Sequence, residues 1–166
     1  MKGVHMNDTG ATEVSGRCWF TAQLLRSGVE VARPERDIGV DLVTYTSSAS
    51  WMLPIQLKVV GLKGLTVFHK YVGEPIALAY VLLGDQDGGN AGRTETSAYL
   101  LTPEEAWGLP SALGQKFDPD FHTTYRFSSL TRMLIENLEA HRVLPGSWRE
   151  RLEQLAPLRR ALAPID

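Results

Sequence analysis

The order of the sequence patterns predicts an α/β fold, an α+β sandwich in which helices flank an open, mixed central β-sheet. Three observations predict this class: a helical pattern opens the chain, several strand patterns follow in close succession, and the C-terminal part is again helical. At 166 residues the chain has the length of one ordinary domain and can bury a substantial core. We therefore expect a single domain over residues 1–166.

The first helix is predicted over residues 9–25, because apolar residues recur there at helical spacing and Gly28 follows where a helix would end. The recurring positions are Val14, Cys18, Ala22 and Leu25. Gly16 lies inside this segment, at a cost of about 1 kcal/mol relative to Ala. Its missing side chain would allow a neighbouring element to approach the helix closely.

Strand patterns rich in β-branched and aromatic residues follow this helix. They cover residues 29–33, 39–46, 51–60, 75–83 and 98–101, and residues 65–69 fit either a short strand or the start of a turn. In the segment 75–83 both the odd-numbered and the even-numbered positions are apolar, which is typical of a central strand covered on both faces. These segments supply the strands of the predicted sheet.

The strands at 39–46 and 51–60 are joined by a short polar loop, which favours an antiparallel hairpin. The second strand alternates from Ile55 onward, so Gln56 and Lys58 share one face. Pro54 cannot donate to a sheet ladder, and we expect it at the entrance of its strand or on a sheet edge.

The C-terminal part is predicted to be helical. Thr102 precedes a proline and two acidic residues, a pattern typical of a helix start. Two further helices are predicted over residues 130–141 and 148–163. The first is capped by Ser128 or Ser129, and the second is interrupted or kinked at Pro157.

Composition excludes several classes of protein. The formal net charge is -2, from 17 Lys and Arg against 19 Asp and Glu, which excludes a histone-like binder held by bulk positive charge but leaves room for a small basic groove. Cys18 is the single cysteine, so an internal disulfide and a four-cysteine zinc site are excluded. No segment reaches the roughly 18 continuous apolar residues of a membrane span, and residues 1–9 lack the apolar core of a secretion signal. We therefore expect a cytoplasmic protein.

Charged and polar residues inside apolar strands mark the candidate site. Asp41 stands between Val40 and Leu42, and Lys58 shares a strand face with Gln56. A hairpin in suitable register would bring these three polar side chains together. A charge buried alone is costly, so such residues need a partner, solvent or a metal. An ordinary cross-strand ion pair between Asp41 and Lys58 is the alternative explanation.

This pattern resembles the PD-(D/E)XK nuclease superfamily. The matching residues are Glu13 on the first helix, DIGVDL at 37–42 and, about fifteen residues further on, IQLK at 55–58. The variant is similar to that of Mrr-like restriction endonucleases, which have Q-x-K in place of E-x-K. The resemblance covers residues 10 to 84. It implies a restriction-endonuclease-like core at residues 10–107, followed by a C-terminal helical extension at 128–163.

The resemblance also implies roles for individual residues. Asp41 would supply the principal carboxylate for Mg²⁺ or Mn²⁺, joined by the Gln56 side-chain oxygen and the Leu57 backbone carbonyl. Lys58 would orient or deprotonate the attacking water and stabilise the phosphate. Glu13 would bind the metal directly or through water. The amide of Gln56 removes one negative charge from such a site, and Glu13 would restore it.

The implied function is hydrolysis of phosphodiester bonds, most simply in DNA, in defence by restriction or in repair. The implied partners are a nucleic acid and, by analogy, a second copy of the chain. Lys63, His69 and Lys70 follow the site in the sequence and are candidate phosphate contacts or, alternatively, ordinary residues of a solvated loop. Two alternatives stay open: a catalytically inactive nuclease-like domain used for nucleic-acid binding or protein interaction, and an unrelated α/β interaction domain in which the polar residues are dispersed.

Overall fold

The computed structural model describes residues 9–36, 39–60, 64–84, 94–118, 120 and 122–156. These residues form an α+β protein in which a five-stranded mixed sheet is flanked by helices, as the sequence predicts. The strands are β1 (Glu30–Ala32), β2 (Leu42–Tyr45), β3 (Met52–Val60), β4 (Thr66–Phe68), β5 (Ala77–Leu82), β6 (Ser97–Leu101) and β7 (Thr124–Arg126). The helices are α1 (Thr9–Arg26), α2 (Pro103–Ala112), α3 (Arg132–Glu139) and α4 (Trp148–Leu155), with a 3-10 helix at His69–Tyr71.

The main sheet has the strand order β1-β2-β3-β5-β6. β1, β2 and β3 pair antiparallel, β3 and β5 pair parallel, and β6 returns antiparallel to β5. The predicted hairpin of β2 and β3 is confirmed, with Leu42 opposite Ile55. Pro54 lies near the start of β3, where the strand pairs with β2 but not yet with β5. The missing amide of Pro54 is therefore tolerated beside a single neighbouring strand.

The outer edge of β6 is covered by the chain that follows α3. The amide of Leu100 donates to the carbonyl of His141 at 3.0 Å, and the amide of Val143 donates to the carbonyl of Ala98 at 3.0 Å. These hydrogen bonds satisfy backbone groups that an edge strand would otherwise present to solvent.

Each face of the sheet is covered by a different set of elements. On one face α1 and α4 pack over the odd-numbered residues of β3, and this core includes Phe20, Leu24, Ile55, Leu57, Ala79, Trp148 and Leu152. On the other face α2, α3 and the two-stranded sheet of β4 and β7 form a second core, which includes Val60, Val67, Leu78, Tyr80, Trp107, Leu134 and Leu138. β5 is buried along its whole length, as its apolar sequence predicts.

The C-terminal helices contribute to both cores. Trp148 of α4 lies edge-on to Phe20 and Trp19 of α1, with ring centres 5.2 Å and 6.1 Å apart. Leu134 and Leu138 of α3 are fully buried on the opposite face. None of the helices in the described part of the chain is long and apolar enough to cross a membrane.

The segment 65–69, predicted as a short strand or the start of a turn, contains β4 and the first residue of the 3-10 helix. Local structure differs from the sequence predictions at two places. The sequence does not predict β7, because this strand has three residues and its first and last side chains are exposed. α3 is capped by the Thr131 hydroxyl, which accepts the Leu134 amide, rather than by Ser128 or Ser129. α4 ends at Leu155, because Ala156 has an extended backbone, and residues 157–163 of the predicted helix lie outside the described residues.

The close approach predicted at Gly16 is present. A Cβ atom at Gly16 would lie 2.5 Å from Cγ2 of Val59, so α1 rests on β3 through backbone alone at this point. We expect Gly16→Ala to lower the free energy of unfolding by about 1–3 kcal/mol, because overpacking outweighs the helix propensity that Ala gains.

Urea denaturation measures this effect. Gly108→Ala is the matched control, since Gly108 lies in α2, a Cβ atom added there would meet no other atom within 4 Å, and the substitution should be neutral or stabilising. The double variant Gly16→Ala/Val59→Ala should lose less stability than the two single losses combined. Full stability of Gly16→Ala would contradict the close packing.

Candidate functional site

The hairpin register brings Asp41 beside Gln56. β2 begins at Leu42, opposite Ile55, so Asp41 lies one residue before the paired stretch and continues toward Gln56. The backbone amide of Asp41 donates to the Ile55 carbonyl at 2.9 Å and anchors it there. The convergence of Asp41 and Gln56 that the sequence predicts is therefore present.

The Asp41 carboxylate is held by groups of β3. Its Oδ2 atom accepts the backbone N–H of Leu57 at 2.7 Å and the side-chain amide of Gln56. The carboxylate thus occupies the position beside β3 where the pairing with β2 has ended. This contact fixes the carboxylate to the strand that carries Lys58.

Gln56 is buried, with 5% of its surface exposed, and both ends of its amide are engaged. Its Nε2 faces Asp41, while its Oε1 accepts the Tyr71 hydroxyl at 3.1 Å. Gly39 lies over this pair: a Cβ there would be 3.7 Å from the Tyr71 ring and 3.9 Å from Gln56 Oε1. Gly39 also has φ +84, a conformation that favours glycine.

Lys58 shares a sheet face with Gln56 but has no ion-pair partner among the described residues. The cross-strand ion pair with Asp41, the alternative explanation for these charges, is not formed. The Lys58 ammonium instead lies 5.8 Å from the centre of the Phe68 ring. Tyr80 is its neighbour on β5. Burial, and secondarily the nearby Tyr71, raise the pKa of Tyr80 far above its usual range, so Tyr80 stays neutral and supplies no counter-charge.

The hydrogen bonds that hold Asp41 and Gln56 in the described residues do not involve Glu13. Glu13 is exposed on α1, one turn before Gly16, and α1 packs on the face of β3 that carries Val59. Gln56 and Lys58 point to the opposite face because side chains alternate along a strand. The resemblance implied that Glu13 would approach the metal over the sheet, and this stays a prediction.

Of the candidate phosphate contacts, His69 and Lys70 lie against different parts of the structure. The ring of His69 lies edge-on to Trp107, 5.2 Å between centres, and is directed toward α2. The Lys70 ammonium lies 4.8 Å from the Tyr71 ring centre and 5.7 Å from that of Phe68, beside the Gln56 group. Lys63, and residues 37 and 38 of the DIGVDL motif, lie outside the described residues.

The oxygen atoms around Asp41 and Gln56 are of the kind that binds Mg²⁺ or Mn²⁺, although they carry little negative charge. They are the Asp41 carboxylate, the Leu57 carbonyl and the Gln56 amide oxygen, all hard ligands. No cluster of three His, Cys, Asp or Glu side chains able to hold a metal occurs within the described ranges. For Gln56 Oε1 to join Asp41 on a cation, the amide has to turn over. The Tyr71 hydroxyl can then accept from Nε2, because a hydroxyl both donates and accepts.

Sequence reasoning missed Tyr71, the buried partner of Gln56. Tyr71 lies in a 3-10 helix, fifteen residues after Gln56, where neither strand nor helix periodicity indicates which way a side chain points. The signal that could have found it is the buried amide itself, since a buried Gln needs a donor for its oxygen.

Comparisons of the chain with protein-family models, with curated proteins and with solved structures gave no match.

Proposed function

We propose that this protein is a metal-dependent nuclease that hydrolyses phosphodiester bonds in DNA, with a restriction-endonuclease-like core. The observation that carries the proposal is the arrangement of Asp41, Gln56 and Lys58. A carboxylate and an amide are in contact, and the ammonium on the same sheet face has no ion-pair partner among the described residues. The Q-x-K order on β3 and the preceding aspartate beside β2 agree with the resemblance seen in the sequence.

Each residue has a distinct role in the proposed reaction. The Asp41 carboxylate and the Leu57 carbonyl would hold Mg²⁺ or Mn²⁺, with Gln56 contributing its amide oxygen. The cation would neutralise charge on the phosphate and on the leaving oxygen. Lys58 orients the attacking water and stabilises the negative charge of the transition state, which an ammonium without an ion pair does more effectively than one already neutralised.

A plasmid-nicking assay tests the proposal. Purified protein should convert supercoiled DNA to nicked or linear forms with millimolar Mn²⁺ or Mg²⁺, and EDTA should stop the conversion. Calorimetric titration with Mn²⁺ in the absence of DNA reports cation binding separately. Absence of both cleavage and cation binding at millimolar Mn²⁺ would overturn the proposal.

A second function, nucleic-acid binding without cleavage, is favoured by one specific observation. The amide nitrogen of Gln56, not its oxygen, faces Asp41. In this arrangement the amide donates to the carboxylate that a cation would need. A protein that binds duplex DNA equally well in EDTA and in Mn²⁺, but never cleaves it, would have this second function.

A further inference from the structure

The ring of Phe68 has two ammonium groups beside it. Nζ of Lys58 lies 5.8 Å from the ring centre and Nζ of Lys70 lies 5.7 Å from it. Lys58 belongs to β3 and Lys70 to the 3-10 helix that follows β4, so two separate elements bring the charges to one ring. The ring itself is fixed by an edge contact to Tyr71, 6.1 Å between centres.

Neither ammonium has a carboxylate partner in the described part of the chain, where every ion pair involves an arginine or a histidine. The carboxylate of Glu104 reaches the turn that follows the 3-10 helix of Lys70, but there it accepts the backbone N–H of Gly73 at 2.9 Å. That hydrogen bond lowers the pKa of Glu104 and keeps it ionised at its own position. Two like charges near one aromatic ring repel each other, and an anion placed between or beside them relieves that repulsion.

We propose that Lys58 and Lys70, arranged around Phe68, bind backbone phosphates of a nucleic-acid strand next to the Asp41–Gln56 group. The proposal rests on the proposed function for the identity of the ligand. It adds the arrangement of Lys58 and Lys70, the latter already a candidate phosphate contact, around the ring of Phe68. The formal net charge of the whole chain is -2, so attraction of a polyanion has to come from a local group of this kind. The lysine side chains contact phosphates, which fixes position along the strand without reading sequence.

Binding without cleavage is the appropriate measurement. Fluorescence anisotropy of a labelled DNA duplex, in EDTA and over a series of salt concentrations, gives the affinity and its salt dependence. We expect Lys70→Ala to weaken binding about five- to tenfold and to reduce the slope of log K against log salt by about 1, the loss of one phosphate contact. Lys70→Arg should retain most of the affinity.

Two further variants test whether DNA binding depends on where the positive charge lies or on the net charge of the protein alone. Arg26→Ala removes one positive charge from an exposed residue of α1, on the opposite side of the sheet, and should leave affinity and slope unchanged. Phe68→Leu keeps apolar packing but removes the ring, and should weaken binding about two- to fivefold, the size of an exposed cation–π contact. Equal losses for Arg26→Ala and Lys70→Ala would overturn the proposal, because charge alone would then explain the binding.

The result can be distinguished from failure of the nuclease proposal. If the wild-type protein cleaves DNA and the Lys70→Ala variant binds DNA as tightly as the wild type, this inference is overturned and the nuclease proposal is unaffected. In the reverse outcome the wild-type protein neither cleaves DNA nor binds Mn²⁺, but Lys70→Ala still weakens DNA binding. That result would support the phosphate site and overturn the nuclease proposal. Titration with inorganic phosphate, followed by ³¹P line broadening, identifies a small-anion site: Lys70-dependent phosphate binding without any Lys70 effect on DNA would also overturn the inference.

Discussion

Asp41→Asn is expected to abolish cation binding and to reduce cleavage by at least about 100-fold. Among the described residues Asp41 supplies the one carboxylate that contacts Gln56, so its neutralisation leaves the proposed cation with the neutral oxygen donors of Gln56 and Leu57. The fold should survive, because the Asn oxygen can still accept the Leu57 N–H that Asp41 accepts at 2.7 Å. Mn²⁺ titration, plasmid nicking and thermal unfolding measure the three effects.

Two comparisons make the Asp41 result interpretable. Asp120→Asn changes the same group at an exposed position outside the site and should bind cation and cleave as the wild type does. Asp41→Ala leaves the Leu57 amide without its acceptor and leaves Gln56 Nε2 with the Leu57 carbonyl at 3.5 Å, and it should cost about 1–3 kcal/mol in the free energy of unfolding. Cleavage by Asp41→Asn at the wild-type rate would remove Asp41 from the mechanism.

Lys58→Ala is expected to reduce cleavage by at least about 100-fold while cation binding persists. The ammonium forms no ion pair within the described residues, so its loss removes little structural contact beyond that with Phe68. Stability should therefore fall by less than about 1 kcal/mol. Initial nicking rates, compared with the Mn²⁺ affinity of the same preparation, separate a loss of chemistry from a loss of metal.

Lys58→Arg and Arg26→Ala are the controls for Lys58. Arg retains a positive charge near Phe68 but cannot lose its proton, so partial activity in Lys58→Arg would assign Lys58 an electrostatic role and inactivity would indicate proton transfer or strict positioning. Arg26→Ala removes a charge from the other face and should be fully active. A Lys58→Ala variant that loses cation binding together with activity would show that the residue supports the metal site instead.

Much of the fold is predictable because local patterns and tertiary packing agree. The apolar segment at β5 predicts a strand covered on both faces, and the Thr102 signal predicts the start of α2, whose capping box with Glu105 is present. β7 is not predictable, since three residues with mostly exposed side chains carry no alternation. Strand order is beyond the sequence: nothing local indicates that β5, rather than β4, lies beside β3.

The candidate site is predictable only where one pair of strands determines it. Alternation along β3 places Gln56 and Lys58 on one face, and a short hairpin limits the register that brings Asp41 to Gln56. The position of Glu13 depends on which face of the sheet α1 covers, and Gly16 against Val59 decides this through packing that no spacing rule encodes. The position of Tyr71 depends on the path of the chain after β4, which a 3-10 helix changes within three residues.

The covering of β6 by the segment around His141 and Val143 has a consequence for self-association. β6 is a strand of five buried residues, and its neighbour on the open side is supplied by the C-terminal third of the same chain. A truncated product that ends before this segment would present that strand to other molecules and invite strand-to-strand aggregation. At the other margin of the sheet, β1 has only three residues, two of them exposed, which offers a poor template for such growth. Resistance of the sheet to intermolecular pairing therefore depends on synthesis or retention of the C-terminal part of the chain.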